Sequence, residues 1–204
     1  LLRGDRPTAS RLVLEAVAAG TPVRDVYLHV FQPSQYEIGR LWQTNRISVA
    51  QEHYCTAATQ LVMSQLYEHV FSTVKNGRTM VATSVEGNLH ELGIRMVADF
   101  FEMDGWDTYY LGANTPHDAV IAGVIERGAE VLAVSATLPT QVDSVHELIG
   151  AVRDEPACQD VRILVGGNPF SRDPELWRHV GANGSAVSAL GAISLALELV
   201  GASA

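Results

Sequence analysis

The chain is predicted to combine an all-helical part with an α/β part: an N-terminal four-helix bundle, then a doubly wound, five-stranded parallel sheet. Three observations predict this. Residues 7–74 carry their apolar side chains at helical spacing. From Thr79 onward, short apolar runs alternate with amphipathic stretches, the period of right-handed βαβ crossovers. Between the two patterns lies the polar, turn-forming run Lys75-Asn-Gly-Arg78, which sets the expected domains at 1–76 and 77–204.

Leu12, Val13, Ala16 and Val17 mark the first helix, and Val23, Val26, Tyr27 and Val30 the second. Pro33 and Ser34 are expected to open a third, carrying Tyr36, Ile38, Leu41 and Trp42, with a break at Thr44-Asn45-Arg46. Ser48 is placed to cap a fourth helix running to about Val74. Strands are expected at 79–85, 107–111, 130–135 and 161–165, with a short fifth near 185–187. Helices should fill 89–103, 116–127, 139–153, 173–179 and 188–200. Thr115 reads as a cap and Pro116 as the first turn of the second of these.

Composition narrows the function classes. Of 204 residues, 47% are hydrophobic and 18% charged, the balance of a packed globular protein rather than a disordered one. A net charge of −9 disfavours sequence-independent binding to nucleic acid, which needs Lys/Arg stripes. No apolar run is long enough to span a bilayer, and the start lacks the order of a signal peptide. Cys55 and Cys158 stand far apart outside any Cys-x-x-Cys pattern, which favours free thiols and the reducing cytoplasm. The histidines show no paired metal spacing, and there is no nucleophile elbow or Walker loop.

The informative residues sit at strand ends. His90 lies in Glu86-Gly-Asn-Leu-His-Glu-Leu-Gly93, between the strand run from Met80 to Val85 and the helical run from Ile94 to Phe101. Such a junction is the binding edge of an open α/β sheet. Ser135-Ala-Thr137-Leu138 closes the apolar run Val131–Val134, and Gly166-Gly167 closes Ile163–Val165. Small or hydroxyl-bearing residues there let backbone come close to a bulky ligand.

This set resembles the cobalamin-binding domain, whose pattern is Asp-x-His-x-x-Gly, then Ser-x-Leu or Ser-x-Thr, then Gly-Gly. The resemblance implies a Rossmann-like domain in which His90, with Leu89 and Gly93 around it, is the lower ligand of cobalt. Ser135, Thr137, Gly166 and Gly167 would line the slot for the cofactor's nucleotide tail, Leu138 would also contact the cofactor, and the segment holding Thr115 would meet the corrin's amide edge. Asn88 stands where that family has Asp, so the hydrogen bond to the ligand ring comes without a negative charge; Glu86 is an alternative partner.

In the helical half, Trp42 is followed after nine residues by Glu52-His53. A bundle with this signature before a cobalamin domain resembles the adenosylcobalamin-dependent photoreceptors, typified by the light-responsive repressors of carotenoid synthesis. That resemblance implies a sensor, not an enzyme. Adenosylcobalamin would be held under a cap of Trp42, Glu52 and His53, and light would break the cobalt–carbon bond and change homo-oligomer assembly or output to a separate effector. Gln43 replaces the histidine that follows the tryptophan in those repressors. The related photocobilins add a bilin, for which Cys55 is the one candidate anchor. The alternative reading is a corrinoid methyl-carrier protein of a methyltransferase system.

Overall fold

The computed structural model describes residues 1–71 and 73–201. Its contacts divide the chain into two compact units, Leu1–Ser72 and Thr73–Ala204.

The first unit is helical. Helix α1 (Arg6–Ala18) starts at Asp5, whose side chain accepts a hydrogen bond from the Thr8 backbone N–H at 3.1 Å. Then α2 (Val23–Val26), a π-helical turn over Tyr27–Phe31 and α3 (Gln32–Gln43) follow without a break. The second and third expected helices are thus one rod, and Pro33 opens nothing. Proline lacks an N–H and its ring crowds the carbonyl four residues back. The π-turn widens the backbone just ahead of it, with the Gln32 N–H reaching Tyr27 O five residues back.

Asn45 ends the rod in the left-handed region at φ 55°. Its N–H donates to Trp42 O at 2.9 Å and that of Arg46 to Leu41 O at 2.8 Å, which satisfies two carbonyls of the last turn. Helix α4 (Val49–Gln65) begins as expected at Ser48: Ser48 Oγ accepts from Gln51 N and Gln51 Oε1 accepts from Ser48 N. It stops short of Val74; α5 (Tyr67–Val70) follows after a break at Leu66, and position 72 of the expected run lies outside the described residues.

The second unit is the α/β sheet. Its strands are β1 (Thr79–Ser84), β2 (Asp107–Gly112), β3 (Val131–Ser135), β4 (Arg162–Gly166) and β5 (Gly184–Ser185), all parallel in the order β2-β1-β3-β4-β5. Between them run α6 (Leu92–Met103), α7 (His117–Arg127), α8 (Val142–Asp154), and the short α9 (Asn168–Arg172) and α10 (Leu176–His179). Helix α11 (Ala189–Gly201) closes the unit.

Register explains the layering. Val81, Leu132 and Ile163 form one row across three strands and Val134 and Val165 part of the next; these pack with Val120, Val124, Val145, Leu148, Ile149 and Val152 of α7 and α8. The alternate residues face the other way, because successive strand side chains point to opposite sides. There the rows shrink toward the C-terminal edge: Ala82 beside Ala133, then Ser84, Ser135 and Gly166 abreast.

At the opposite end of the sheet Glu102 is buried, 3% exposed. It pairs with Lys75 and accepts from Thr108 Oγ1 at 2.6 Å and Thr108 N at 3.2 Å. Lys75 also donates to Trp106 O at 2.8 Å. Lys75→Met leaves a buried carboxylate with the Thr108 hydroxyl and backbone N–H but no cation. Because the lysine is itself half-exposed, the expected loss is about 2 kcal/mol, below that for a fully buried pair; the urea midpoint checks it.

Candidate functional site

Strand order places the site. The chain leaves β1 toward β2 on one side and, after β2, crosses to β3 on the other, so a crevice opens beyond the C-terminal ends of β1 and β3. The His90 loop follows β1, the Thr115 segment follows β2, the Ser135–Leu138 turn follows β3, and Gly166-Gly167 ends β4. The structure therefore gathers all the strand-end candidates along one edge.

His90 is exposed, and its ring is oriented from below. Asn88, 0% exposed, donates through Nδ2 to Ser135 O at 3.2 Å, while its Oδ1 accepts from the His90 backbone N–H at 3.1 Å and lies 3.3 Å from His90 Nδ1. The amide's orientation follows from its partners: a carbonyl can only accept and an N–H can only donate. Because Oδ1 can only accept, the proton of a neutral His90 sits on Nδ1 and Nε2 keeps its lone pair. Glu86 does not serve as a substitute partner; its carboxylate lies toward His117, 3.9 Å from Nε2.

An aspartate at 88 would have no hydrogen to give Ser135 O. Asn88→Asp is therefore expected to lower stability by about 1–3 kcal/mol through that lost donor, measured as a shift in the urea midpoint.

Three further residues, not expected from the sequence, hold the edge together. Asn114, left-handed at φ 52°, accepts from Gly87 N through Oδ1 at 2.7 Å, and its own N–H donates to Asn88 O at 3.1 Å. Gln141 is buried; its Oε1 accepts from Thr137 N and Leu138 N, each at 2.9 Å, and its Nε2 donates to Gly87 O at 3.1 Å. Glu91 accepts from Tyr110 Oη at 2.9 Å and so ties the start of α6 to β2. Asn114 alone carried a signal, as a residue type that tolerates φ > 0 in a turn.

Burial first, and the hydrogen bond to Glu91 second, push the Tyr110 phenol above its ordinary pKa. A group raised on folding stabilises fully below its unfolded value, about pH 10, and loses that contribution as pH rises through the folded value. Tyr110→Phe should flatten the alkaline fall of a stability–pH curve followed by urea midpoints.

Gly167 lies at φ 100°, and a Cβ there would stand 1.9 Å from Ala136 O. The Ala136 N–H donates in turn to Gly166 O at 3.1 Å. Gly93 differs: its φ is ordinary and a Cβ would meet nothing within 4 Å, so packing within the chain does not require glycine there. Leu89 (75% exposed) and Leu138 (47%) put apolar surface on the same edge. Thr115 is half-buried but does not cap α7; Pro116 holds the N-cap position, without a side-chain hydrogen bond.

In the helical unit, Trp42 is 40% exposed near the end of α3, and Glu52 and His53 sit in the first turns of α4. Glu52 accepts from Thr56 Oγ1 at 2.9 Å and lies 3.5 Å from His53 Nε2. Cys55 is 0% exposed, and burial raises its thiol pKa, so it presents no accessible, activated thiol.

The described residues hold no cluster of three metal-ligating side chains. One imidazole with a free Nε2, an apolar rim and a glycine cradle instead suit a metal that arrives with its equatorial ligands in place. Such an edge suits a large, flat, metal-bearing cofactor. The chain belongs to the B12 binding domain family: the family model matches residues 78–194, and a second B12 binding domain model matches residues 1–67. It binds a corrinoid.

Among curated relatives, a corrinoid protein of Desulfitobacterium hafniense is 30% identical over 60% of this chain. The chain spans 56% of that relative's length. Monomethylamine corrinoid protein 1 of Methanosarcina acetivorans is 25% identical over 94% of this chain and 89% of its own length. The solved monomethylamine corrinoid protein of Methanosarcina barkeri superposes with a TM-score of 0.85 at 22% identity, over 97% of this chain and 93% of that one. In the methanol:cobalamin methyltransferase complex of the same organism the TM-score is 0.57 at 18% identity, covering 98% of this chain and 76% of that one. Those two likenesses establish the fold.

These findings correct the expected light sensor. The relatives named above are corrinoid proteins and a methanol:cobalamin methyltransferase complex, and none of them is a light-responsive repressor. The light-dependent homo-oligomer falls with that reading, and neither the adenosyl form nor a bilin finds support. No helix among the described residues is long and apolar enough to cross a membrane.

Proposed function

We propose that the chain is a corrinoid methyl carrier serving a methyltransferase system, carrying a group rather than converting a substrate itself. The observation that carries this reading is the match to monomethylamine corrinoid proteins across nearly the whole chain, helical unit included. When bound, the corrinoid supplies a cobalt ion that accepts and releases a methyl group.

The chain's own residues have distinct parts in this reading. His90 would hold the cobalt through Nε2, and Asn88 would keep the ring in the tautomer that leaves Nε2 free. Leu89, Leu138 and Thr115 meet the corrin, while Gly93, Ser135, Thr137, Gly166 and Gly167 make room for the nucleotide tail. Trp42, Glu52 and His53 are the helical unit's candidate contacts to the cofactor. The partner is a methyltransferase acting on a small methylated compound, with methylamine the first to test.

The experiment loads the protein in the dark with methylcobalamin and, separately, with adenosylcobalamin. Methylcobalamin should be retained at least as tightly, illumination should leave the assembly state unchanged, and the methyl group should pass to a thiol acceptor when a cobalamin:thiol methyltransferase is added. Preferential retention of adenosylcobalamin without methyl transfer would sink the proposal.

A further inference from the structure

We propose that Gln141 is a positioning residue for the cobalt-facing loop, clasping the His90 loop to the turn after β3 so that the two are held as one piece; this rests on His90 being the cobalt ligand. The side chain enters from the single 3-10 turn Pro139–Gln141 that precedes α8. It is 7% exposed, and its amide reaches backbone at both ends: Oε1 takes the Thr137 and Leu138 N–H groups, and Nε2 gives one hydrogen to Gly87 O.

Those contacts link two stretches that strand pairing leaves separate. Thr137 and Leu138 lie past the end of β3, and Gly87 lies past the end of β1. Beyond the ladder, two bonds also cross between them: Val85 N–H to Ser135 O at 3.0 Å, and Asn88 Nδ2 to the same oxygen. Both converge on one carbonyl at the strand ends. Gln141 adds a second attachment point further out, on Gly87, immediately before the Asn88 that orients the ligand ring. Without it, Ser135 O is the one described attachment of the loop to the turn after β3, and Ser144 Oγ, donating to Glu86 O at 3.4 Å, is its remaining tie to α8. Asn114 holds Gly87 from the side of β2 through the N–H, so Gln141 and Asn114 grip the same residue by opposite ends.

Few side chains could make this clasp. The site asks for an acceptor toward two N–H groups and a donor toward a carbonyl, at the reach of a stem of two methylenes. A glutamate keeps the first end and loses the second; a leucine keeps the volume and loses both.

Gln141→Glu and Gln141→Leu separate these functions. In the cobalamin-free protein, amide hydrogen exchange at Asn88 and His90 should quicken roughly threefold to tenfold in both, the equivalent of one net hydrogen bond. Exchange at Thr137 and Leu138 should quicken only in Gln141→Leu. With aquacobalamin bound, both variants should show a smaller imidazole-ligated fraction in the absorption spectrum. His90→Ala is run alongside. If it leaves the spectrum unchanged, the ligand assignment fails while the exchange data still judge the clasp. Unchanged exchange at Asn88 and His90 in Gln141→Glu overturns the proposal. So does an unaltered spectrum in both variants where His90→Ala alters it.

Discussion

Gly167→Ala is expected to be the most damaging single substitution on the binding edge, costing at least about 3 kcal/mol and abolishing cofactor retention. Two effects add. At φ 100° an L-residue is strained, by about 1–3 kcal/mol. The new Cβ would then stand 1.9 Å from Ala136 O, a backbone atom that cannot swing aside as a side-chain tip would. Relief requires β4 to move away from the turn after β3, which breaks the Ala136 N–H bond to Gly166 O. Gly128→Ala is the control. Gly128 is also left-handed, at φ 58°, but a Cβ there meets nothing within 4 Å, so only strain of about 1–2 kcal/mol is expected. Urea midpoints of both variants give the comparison. Equal losses would show that close approach at the Gly-Gly turn contributes nothing.

His90→Ala should do the reverse, leaving the fold alone and changing the bound cofactor. The ring is exposed and its one described hydrogen-bond contact is the 3.3 Å approach to Asn88. The stability change should therefore stay within about 0.5 kcal/mol. The absorption spectrum of bound cobalamin should move to a form without protein imidazole, and affinity should fall at least roughly tenfold, the scale set by partners that merely orient a ligand. Added imidazole should restore part of the spectrum. A wild-type spectrum in the alanine variant would take His90 off the metal.

Much of the fold could be read from residue order because its signals are local. Val131–Val134 is an apolar run buried on both faces of a parallel sheet, and Ser48 with Gln51 forms the capping pair that its spacing implies. Pro33 misled because the usual inference, that proline opens a helix, overlooks a π-turn ahead of it. Thr115 misled because Pro116 took the cap position itself. Gln141 could not be found from sequence at all: a lone glutamine at a helix start is most often a solvated residue, and its partners lie in loops set by tertiary structure.

The function was misread for a related reason. The strand-end residues carry the cobalamin-binding pattern, and the family match over residues 78–194 agrees with the cofactor it implies. Which group that cofactor carries was inferred from Trp42, Glu52 and His53. A flat aromatic and a polar pair on two helices are compatible with more than one upper ligand, and only the relatives separated the readings.

The π-turn at Tyr27–Phe31 has a mechanical consequence. Pro33 can send no N–H back to the carbonyl of His29, so the ladder that stiffens the rest of Val23–Gln43 is thinned over one turn. The rod is then two stiff levers joined by a compliant joint. A load applied at the Trp42 end would bend it near Tyr27–Pro33 before disturbing the Asn45 stop or the Ser48 start of α4, giving the helical unit a built-in place to flex while its ends keep their shape.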